Sequence, residues 1–205
     1  MCGIVGVWDF KNRIDKDILK RMRDLLKHRG PDDKGIYIDN HIGVAHRRLS
    51  IIDLTKAGHQ PMSNENNSIW ITYNGEIYNF KELRKYLKKK GHRFKSNTDT
   101  EVVIHAYEEY GFDCLKKFNG MFAFAIWDSN KKQIFLARDR IGQKPLVYYQ
   151  DKDKFIFASE LKAILPYPEI NKEISNEAIS HYLSFGYVPT PLCISSTPSP
   201  LASVQ

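Results

Sequence analysis

Residues 1–10, MCGIVGVWDF, decide how the chain is read. Ile4–Asp9 is apolar and β-branched, the composition of a buried strand. Such a strand has no need of a thiol at its tip, yet Cys2 stands there, behind only the initiating Met. Removal of Met1 would give one residue two reactive groups, a thiol and a free α-amine. A thiolate is a good nucleophile, but a free thiol titrates at about 8.5 and needs a base. An α-amine titrates at about 7.7–8.0 and exchanges protons readily at neutral pH. An N-terminal Cys therefore carries nucleophile and base together, and it is small enough for the preceding Met to be excised. The alternative is a small apolar residue at a strand start, a common use of free Cys.

Working outward, Asp15–Lys27 sets Ile18, Leu19, Met22, Leu25 and Leu26 on one face and predicts a helix. Gly35–Asp39, Ile42–Arg48 and Ile69–Tyr73 predict strands. The last of these runs into Asn74-Gly75, a hairpin signal that would make Glu76-Ile77-Tyr78 a return strand. Asn79-Phe80-Lys81-Glu82 has capping-box spacing and predicts a helix to about Lys90. Thr98 or Asp99 caps a second helix that stops at Gly111. Hairpins follow: Met121–Asp128 with Gln133–Arg138, then Leu146–Gln150 with Lys154–Ser159. Helices are predicted over Glu160–Leu165 and Asn176–Ser184. Alternation early and hairpins late argue against a wholly parallel sheet. Two largely antiparallel sheets covered by helices, an α+β fold, fit better. There is no internal repeat.

Four stretches offer polar chemistry. Cys2 is the first. In ITYNGEIYNF the Asn74 carboxamide and the Gly75 backbone N–H could both donate to one oxyanion, the alternative being the turn. In AHRRLSIID, Arg47 and Arg48 end a strand, and a guanidinium fork suits a carboxylate; a solvated or structural arginine pair is the plainer reading. In SNTDTEVV, Asp99 either caps a helix or binds an ammonium group. Together a nucleophile, an oxyanion hole, a carboxylate-binding Arg and an ammonium-binding Asp describe one ligand, an amino acid with a side-chain amide: glutamine.

Composition narrows the classes. The 205 residues are 42% hydrophobic, enough for one well-buried core. No apolar stretch nears the roughly 20 residues of a membrane span. Asp9, Lys11 and Arg13 interrupt any secretory leader early. Three widely spaced cysteines, an odd number, argue against a disulfide framework and for a reduced, cytoplasmic protein. Net charge is +7, but the densest basic run, Lys88-Lys89-Lys90, closes a helix, and no basic stripe interleaves with aromatics, so neither a nucleic acid nor a membrane is expected as partner. His-Glu-x-x-His, Cys-x-x-Cys and Gly-x-x-x-x-Gly-Lys-Ser/Thr patterns are all missing, so no metal or other cofactor is expected.

MCGIVGV, HRGPDDKG, AHRRLSIID, AGHQPM, YNGEIYNFKELR, TDTEV, NGMFAFAIWD, RDRIGQKPLVYY and FASELKAIL stand here in an order that resembles the class II glutamine amidotransferases. The resemblance is nearest to the N-terminal glutaminase domain of glutamine-hydrolysing asparagine synthetases and runs from residue 1 to about Pro191. It implies a four-layer αββα sandwich of the N-terminal-nucleophile hydrolase type. It also implies Cys2 as nucleophile, Asn74 and Gly75 as oxyanion hole, and Arg48 on the glutamine α-carboxylate with Leu49, Ser50, Ile51 and Ile52 lining its pocket. Glu76 and Asp99 would take the α-ammonium. A full synthetase continues into an ATP-using domain with a Ser-Gly-Gly-x-Asp-Ser loop, which this sequence lacks. Residues 1–191 are therefore expected to form the domain, with an interdomain linker starting at about 175. Residues 192–205 (from Ser195, SSTPSPLASVQ) are expected to be a disordered tail left by a frameshift, a truncation or an artificial end near Leu192. Such a chain would be at most a glutaminase, drawing on a separate synthetase domain or a homodimer partner. A non-catalytic fragment, or a module that binds glutamine or a partner, stays open.

Overall fold

The computed structural model describes residues 1–170, 172–189, 192 and 199–200. The chain runs β1 (Gly3–Asp9), α1 (Lys16–Asp24), β2 (Asp33–Asp39), β3 (Ile42–Arg48), β4 (Met62–Ser63), β5 (Ile69–Ile77), α2 (Phe80–Lys89) and α3 (Asp99–Tyr110). It continues through β6 (Gly120–Asp128), β7 (Gln133–Arg138), β8 (Val147–Gln150), β9 (Lys154–Ala158), α4 (Asn176–Phe185) and β10 (Ser199–Pro200). Glu160–Leu165, expected as a helix, holds only a 3-10 turn at Leu161–Ala163. Of the tail 192–205 expected to be disordered, only 192 and 199–200 are described, and there Ser199–Pro200 pair with β8 as a short strand, against that expectation.

Two sheets form, of orders β10-β8-β9-β1-β3-β2 and β4-β5-β6-β7. Every pairing in them is antiparallel. The strand period of two sorts their side chains into layers. From β1, Val5 and Val7 pack outward with Leu19, Met22 and Leu26 on and just after α1. Ile4 faces the other way and joins Val44, Ala123, Ala125, Leu146 and Phe157 between the sheets. On the far side, Ile71, Tyr73 and Phe124 pack against Val103, Ile104 and Tyr107 of α3 and Leu87 of α2. Helix, sheet, sheet, helix is the four-layer αββα order that the family resemblance implies, built on the two antiparallel sheets that the pattern predicts. Direct bonds tie the middle layers. Thr72 Oγ1 donates to Ala45 O at 3.2 Å, and His46 Nε2 donates to Tyr73 O at 3.0 Å. Burial pushes His46 down to about 3, so its ring stays neutral.

Two local expectations are overturned. Asn74-Gly75 makes no turn: β5 runs on through Ile77, paired with β6 as Asn74↔Ala123 and Gly75↔Phe122. A long apolar partner strand holds the pair extended where an isolated hairpin would have folded back. Nor does Asn79 form a capping box, because its side chain makes no cap bond. Its carboxamide instead bridges to the β6 side, donating to Lys117 O at 2.9 Å and accepting from Asn119 N–H at 3.0 Å. At α3 the choice between caps resolves: Thr98 is the N-cap, and Asp99 is the first helical residue.

Candidate active site

Cys2 immediately precedes β1, and Gly3 pairs with Arg47 near the end of β3. The antiparallel register therefore sets Cys2 beside Leu49, the residue that follows β3. Cys2 Sγ accepts from Leu49 N–H at 3.4 Å and lies 3.6 Å from Leu49 O. Burial pushes the thiol up; the Leu49 N–H works against that, as do the chain's amino terminus and Arg48. Arg29, from the HRG stretch, clamps the same residue, its Nε donating to Cys2 O at 2.9 Å while Nη1 holds Glu160 Oε1 at 2.9 Å.

The thiol opens onto a cavity of about 260 Å³. Cys2, Arg48, Leu49, Ile51, Ile52, Asn74, Gly75, Glu76 and Asp99 all line it. Ser50 does not. Its backbone N–H is turned to the Asp32 carboxylate at 2.8 Å, and it lines a neighbouring cleft with Lys56 and His59.

β5 supplies its part by strand phase. Asn74 shares the face of Thr72, whose hydroxyl reaches the first sheet, so Asn74 too is turned toward the layer from which β1 starts. Asn74 is 2% exposed, yet Nδ2 is a buried donor with no hydrogen-bond partner among the described residues. Phe122, opposite Gly75, spends both backbone groups on Asp139: its N–H reaches Oδ2 at 3.2 Å and its O accepts from Asp139 N–H at 2.8 Å. The pair is therefore one of the non-hydrogen-bonded pairs of the ladder, and the Gly75 N–H points away from β6. Its neighbours in that phase are taken, Tyr73 N–H by Gln60 Oε1 at 2.8 Å and Ile77 N–H by Asp99 Oδ2 at 3.0 Å. Between them Gly75 N–H faces the cavity. A Cβ here would lie 2.5 Å from Met121 O and 2.8 Å from Phe122 Cα, so the strand closes only on glycine.

Two buried charged groups, Arg48 and Asp99, line the cavity with the thiol. Arg48, 6% exposed, gives Nη1 to Thr55 O at 3.0 Å and Nη2 to Asp53 O. It packs under Gly58, where a Cβ would meet Nη2 at 2.0 Å. Part of the fork expected to serve a ligand thus holds the 53–58 loop, leaving the remaining N–H groups of its five. Asp99 accepts from Tyr73 OH at 2.6 Å as well as from Ile77 N–H. Burial pushes its carboxyl above the usual 3.8 in spite of those bonds.

Sequence reasoning missed Arg29, Gln60 and Tyr73. Each acts through a contact between segments distant in sequence (Tyr73 N–H to Gln60, 13 residues apart; Arg29 to Glu160, 131 apart), which no local spacing encodes. HRGPDDKG, AGHQPM and the Tyr73 that opens YNGEIYNFKELR were the signals in the sequence.

Residues 1–202 match the family model described as "Glutamine amidotransferase domain". Asparagine synthetase [glutamine-hydrolyzing] 3 of Bacillus subtilis is 42% identical over 195 residues, covering 93% of this chain and 32% of its own length. Asparagine synthetase [glutamine-hydrolyzing] 1 of the same organism is 43% identical, covering 93% of this chain and 30% of its own. The chain spans about a third of the length of these curated relatives. Glutamine phosphoribosylpyrophosphate amidotransferase of B. subtilis superposes with a TM-score of 0.68 at 22% identity, over 80% of this chain and 43% of that one, and shares the fold. Among the described residues no helix is long and apolar enough to cross a membrane. With its αββα layers and a family match along almost its whole length, the chain belongs to the glutamine amidotransferase domain family.

Proposed function

We propose that this chain hydrolyses the side-chain amide of L-glutamine to glutamate and ammonia, with Cys2 as nucleophile once Met1 has been removed. The observation that carries the reading is the buried, unpartnered Asn74 Nδ2 on the cavity shared with the thiol. A native fold seldom leaves such a donor orphaned without a use for it. With the Gly75 N–H it makes a pair of donors for an oxyanion.

In the proposed cycle the Cys2 α-amine takes the thiol proton and Sγ attacks the amide carbon. The carbonyl oxygen becomes an oxyanion held by Asn74 Nδ2 and Gly75 N–H. The α-ammonium gives its proton to the amide nitrogen, the C–N bond breaks and ammonia leaves. Water, deprotonated by the same amine, then cleaves the glutamyl thioester and returns the thiol. Burial of the thiol keeps it neutral until that base is created, which supports a role for Met1 removal as the activating step. Arg48 holds the substrate α-carboxylate; Asp99 and Glu76 take its α-ammonium. A ligand lacking either group would leave buried charge unpaired and be rejected. Leu49, Ile51 and Ile52 wall the pocket, while Ser50 contributes through its backbone turn alone.

The names of the relatives support an ammonia-supplying role toward asparagine synthesis, with the ATP-using step on another domain or chain. Free Cys2 chemistry supports a reducing, cytoplasmic setting. The test is glutamate and ammonia release by purified chain, with its N-terminus read by mass spectrometry and ATP, magnesium and aspartate added or omitted. Activity that needs Cys2 at the N-terminus and ignores those additions is expected. An inactive chain with Cys2 exposed, or an active chain retaining Met1, would overturn the reading.

A further inference from the structure

A second polar cluster lies away from the cavity, on the helical side of the four-stranded sheet. It joins three segments: Glu65 between β4 and β5, His92 just after α2, and His105 with Glu108 one turn apart on α3. Glu65, His92 and His105 each offer a ligand atom, all within 4.8 Å of one another. Glu108 stands among them, its Oε2 lying 2.7 Å from His105 Nδ1 and 3.6 Å from His92 Nδ1. Glu65 Oε2 is 4.0 Å from His105 Nδ1.

The outer oxygens of both carboxylates are anchored, and the inner atoms of the four side chains converge. Glu108 Oε1 accepts from Asn64 Nδ2 at 2.8 Å, and Glu65 Oε1 accepts from the Arg93 N–H at 3.2 Å. His92 turns Nε2 toward Glu109 Oε2 at 3.6 Å, which orients its ring and leaves Nδ1 on the inner side. His105 is 1% exposed, and its Nε2 has no hydrogen-bond partner among the described residues, the nearest carboxylate oxygen being Glu101 Oε1 at 3.9 Å. Carboxylates that orient metal-bound imidazoles are a recurring outer layer of metal sites. Charge points the same way. Among the described residues Glu65 and Glu108 face two imidazoles and no lysine or arginine within ion-pair distance, whereas Glu109 has Lys90 and Glu101 is held by the Lys95 and Ser96 N–H groups.

We propose that Glu65 Oε2, His92 Nδ1, His105 Nδ1 and Glu108 Oε2 bind a divalent zinc ion that staples the α2–α3 connection to the β4–β5 loop. Two imidazoles and two carboxylates suit zinc, whose bonds of about 2.0–2.2 Å in a tetrahedron set ligand atoms roughly 3.4 Å apart. The 2.7 Å contact must open by about 0.7 Å and the 4.0 Å gap close by about 0.6 Å, while gaps of up to 4.8 Å among Glu65, His92 and His105 must close further. Zinc displaces the Nδ1 proton of His105, leaving the neutral tautomer with its proton on Nε2, toward Glu101. The lack of a zinc-binding spacing in the sequence does not bear on this set, since its ligands come from three separate segments.

The experiment uses the untagged chain in a Cys2→Ala, Cys193→Ala background, which keeps those two thiols out of the readout. Protein stripped by chelator is titrated with zinc chloride by calorimetry and thermal denaturation, and with cobalt chloride by visible absorption. One zinc per chain, a rise in Tm and the intense visible bands of tetrahedral cobalt are expected. Glu65→Gln and His92→Gln, both outside the buried core, should each weaken zinc by tenfold or more. No zinc at stoichiometric addition, or the same affinity in both variants as in their parent, would overturn the proposal and leave the cluster as hydrogen-bonded His–Glu pairs. Should either variant fail to fold, the parent's cobalt spectrum decides, because tetrahedral bands require protein ligands.

Discussion

Asn74→Ala separates the proposed chemistry from the fold because the rate should fall sharply while stability holds nearly constant. As an oxyanion donor, Asn74 acts chiefly in the transition state, and losing one such donor costs about 2.7–4 kcal/mol, or roughly 10²–10³ in kcat. KM should change little. Stability is worked from the burial and bonding of the residue. Its Nδ2 is buried and bonds nothing among the described residues, so truncation orphans no acceptor there. It even removes an unsatisfied donor, a relief of about 1–3 kcal/mol that offsets the lost packing of a small side chain. The net change should stay within about 1 kcal/mol, or ~2–4 °C in Tm for a chain of this size. The assay pairs steady-state glutamate release with thermal denaturation of the same preparation. Wild-type kcat would refute the donor role. A fall in Tm beyond roughly 10 °C, equivalent to about 3 kcal/mol or more, would show that the carboxamide is structural and that the loss of rate says nothing about an oxyanion.

Other groups divide by similar reasoning. Arg48→Ala should raise KM for glutamine at least tenfold and also lower Tm, since Thr55 O and Asp53 O lose a charged donor, at about 1.5–3 kcal/mol per bond; an unchanged KM would leave Arg48 as a loop anchor only. Asp99 carries a carboxyl raised by burial above 3.8, so its contribution to stability is full below that value and is lost as pH rises through the raised one. Asp99→Asn should therefore raise Tm at pH 7 while raising KM, and a lower Tm at pH 7 would contradict the sign. Glu160 behaves oppositely: burial raises it, but Arg29, His28 and Lys162 outweigh that and hold it at about 2 against the usual 4.5. Its stabilisation is present above 4.5 and is lost as pH falls toward 2, so Glu160→Gln should lower Tm at pH 7 and flatten the acid limb, read by denaturation across that range.

The layers of the fold were legible because burial period and element type go together. Ile4–Asp9, Ile42–Arg48 and Met121–Asp128 are apolar runs bounded by polar residues, and each sits in a sheet within a residue or two of its expected bounds. The site was legible where its residues flank such elements, as with Cys2 ahead of β1 and Arg48 at the end of β3. Misreadings arose where local chemistry and long-range pairing disagree. Asn-Gly is a turn signal because glycine tolerates positive φ, and on local grounds Asn74-Gly75 should fold back. Yet Gly75 needs its missing Cβ for another reason: Met121 O and Phe122 Cα crowd the place where it would be. The same glycine is thus compatible with a turn or with a tight strand, and only the identity of the partner strand distinguishes them. Partner identity is a contact across 47 residues (Gly75 with Phe122), beyond the reach of any local pattern. In the strand, period two turns the Asn74 side chain toward the β1 layer and the Gly75 N–H along the sheet into the cavity. A turn would have splayed those two donors apart. The proposed oxyanion hole therefore depends on the turn not forming, and the residue pair that misled the local reading is the one whose extended conformation supplies the chemistry.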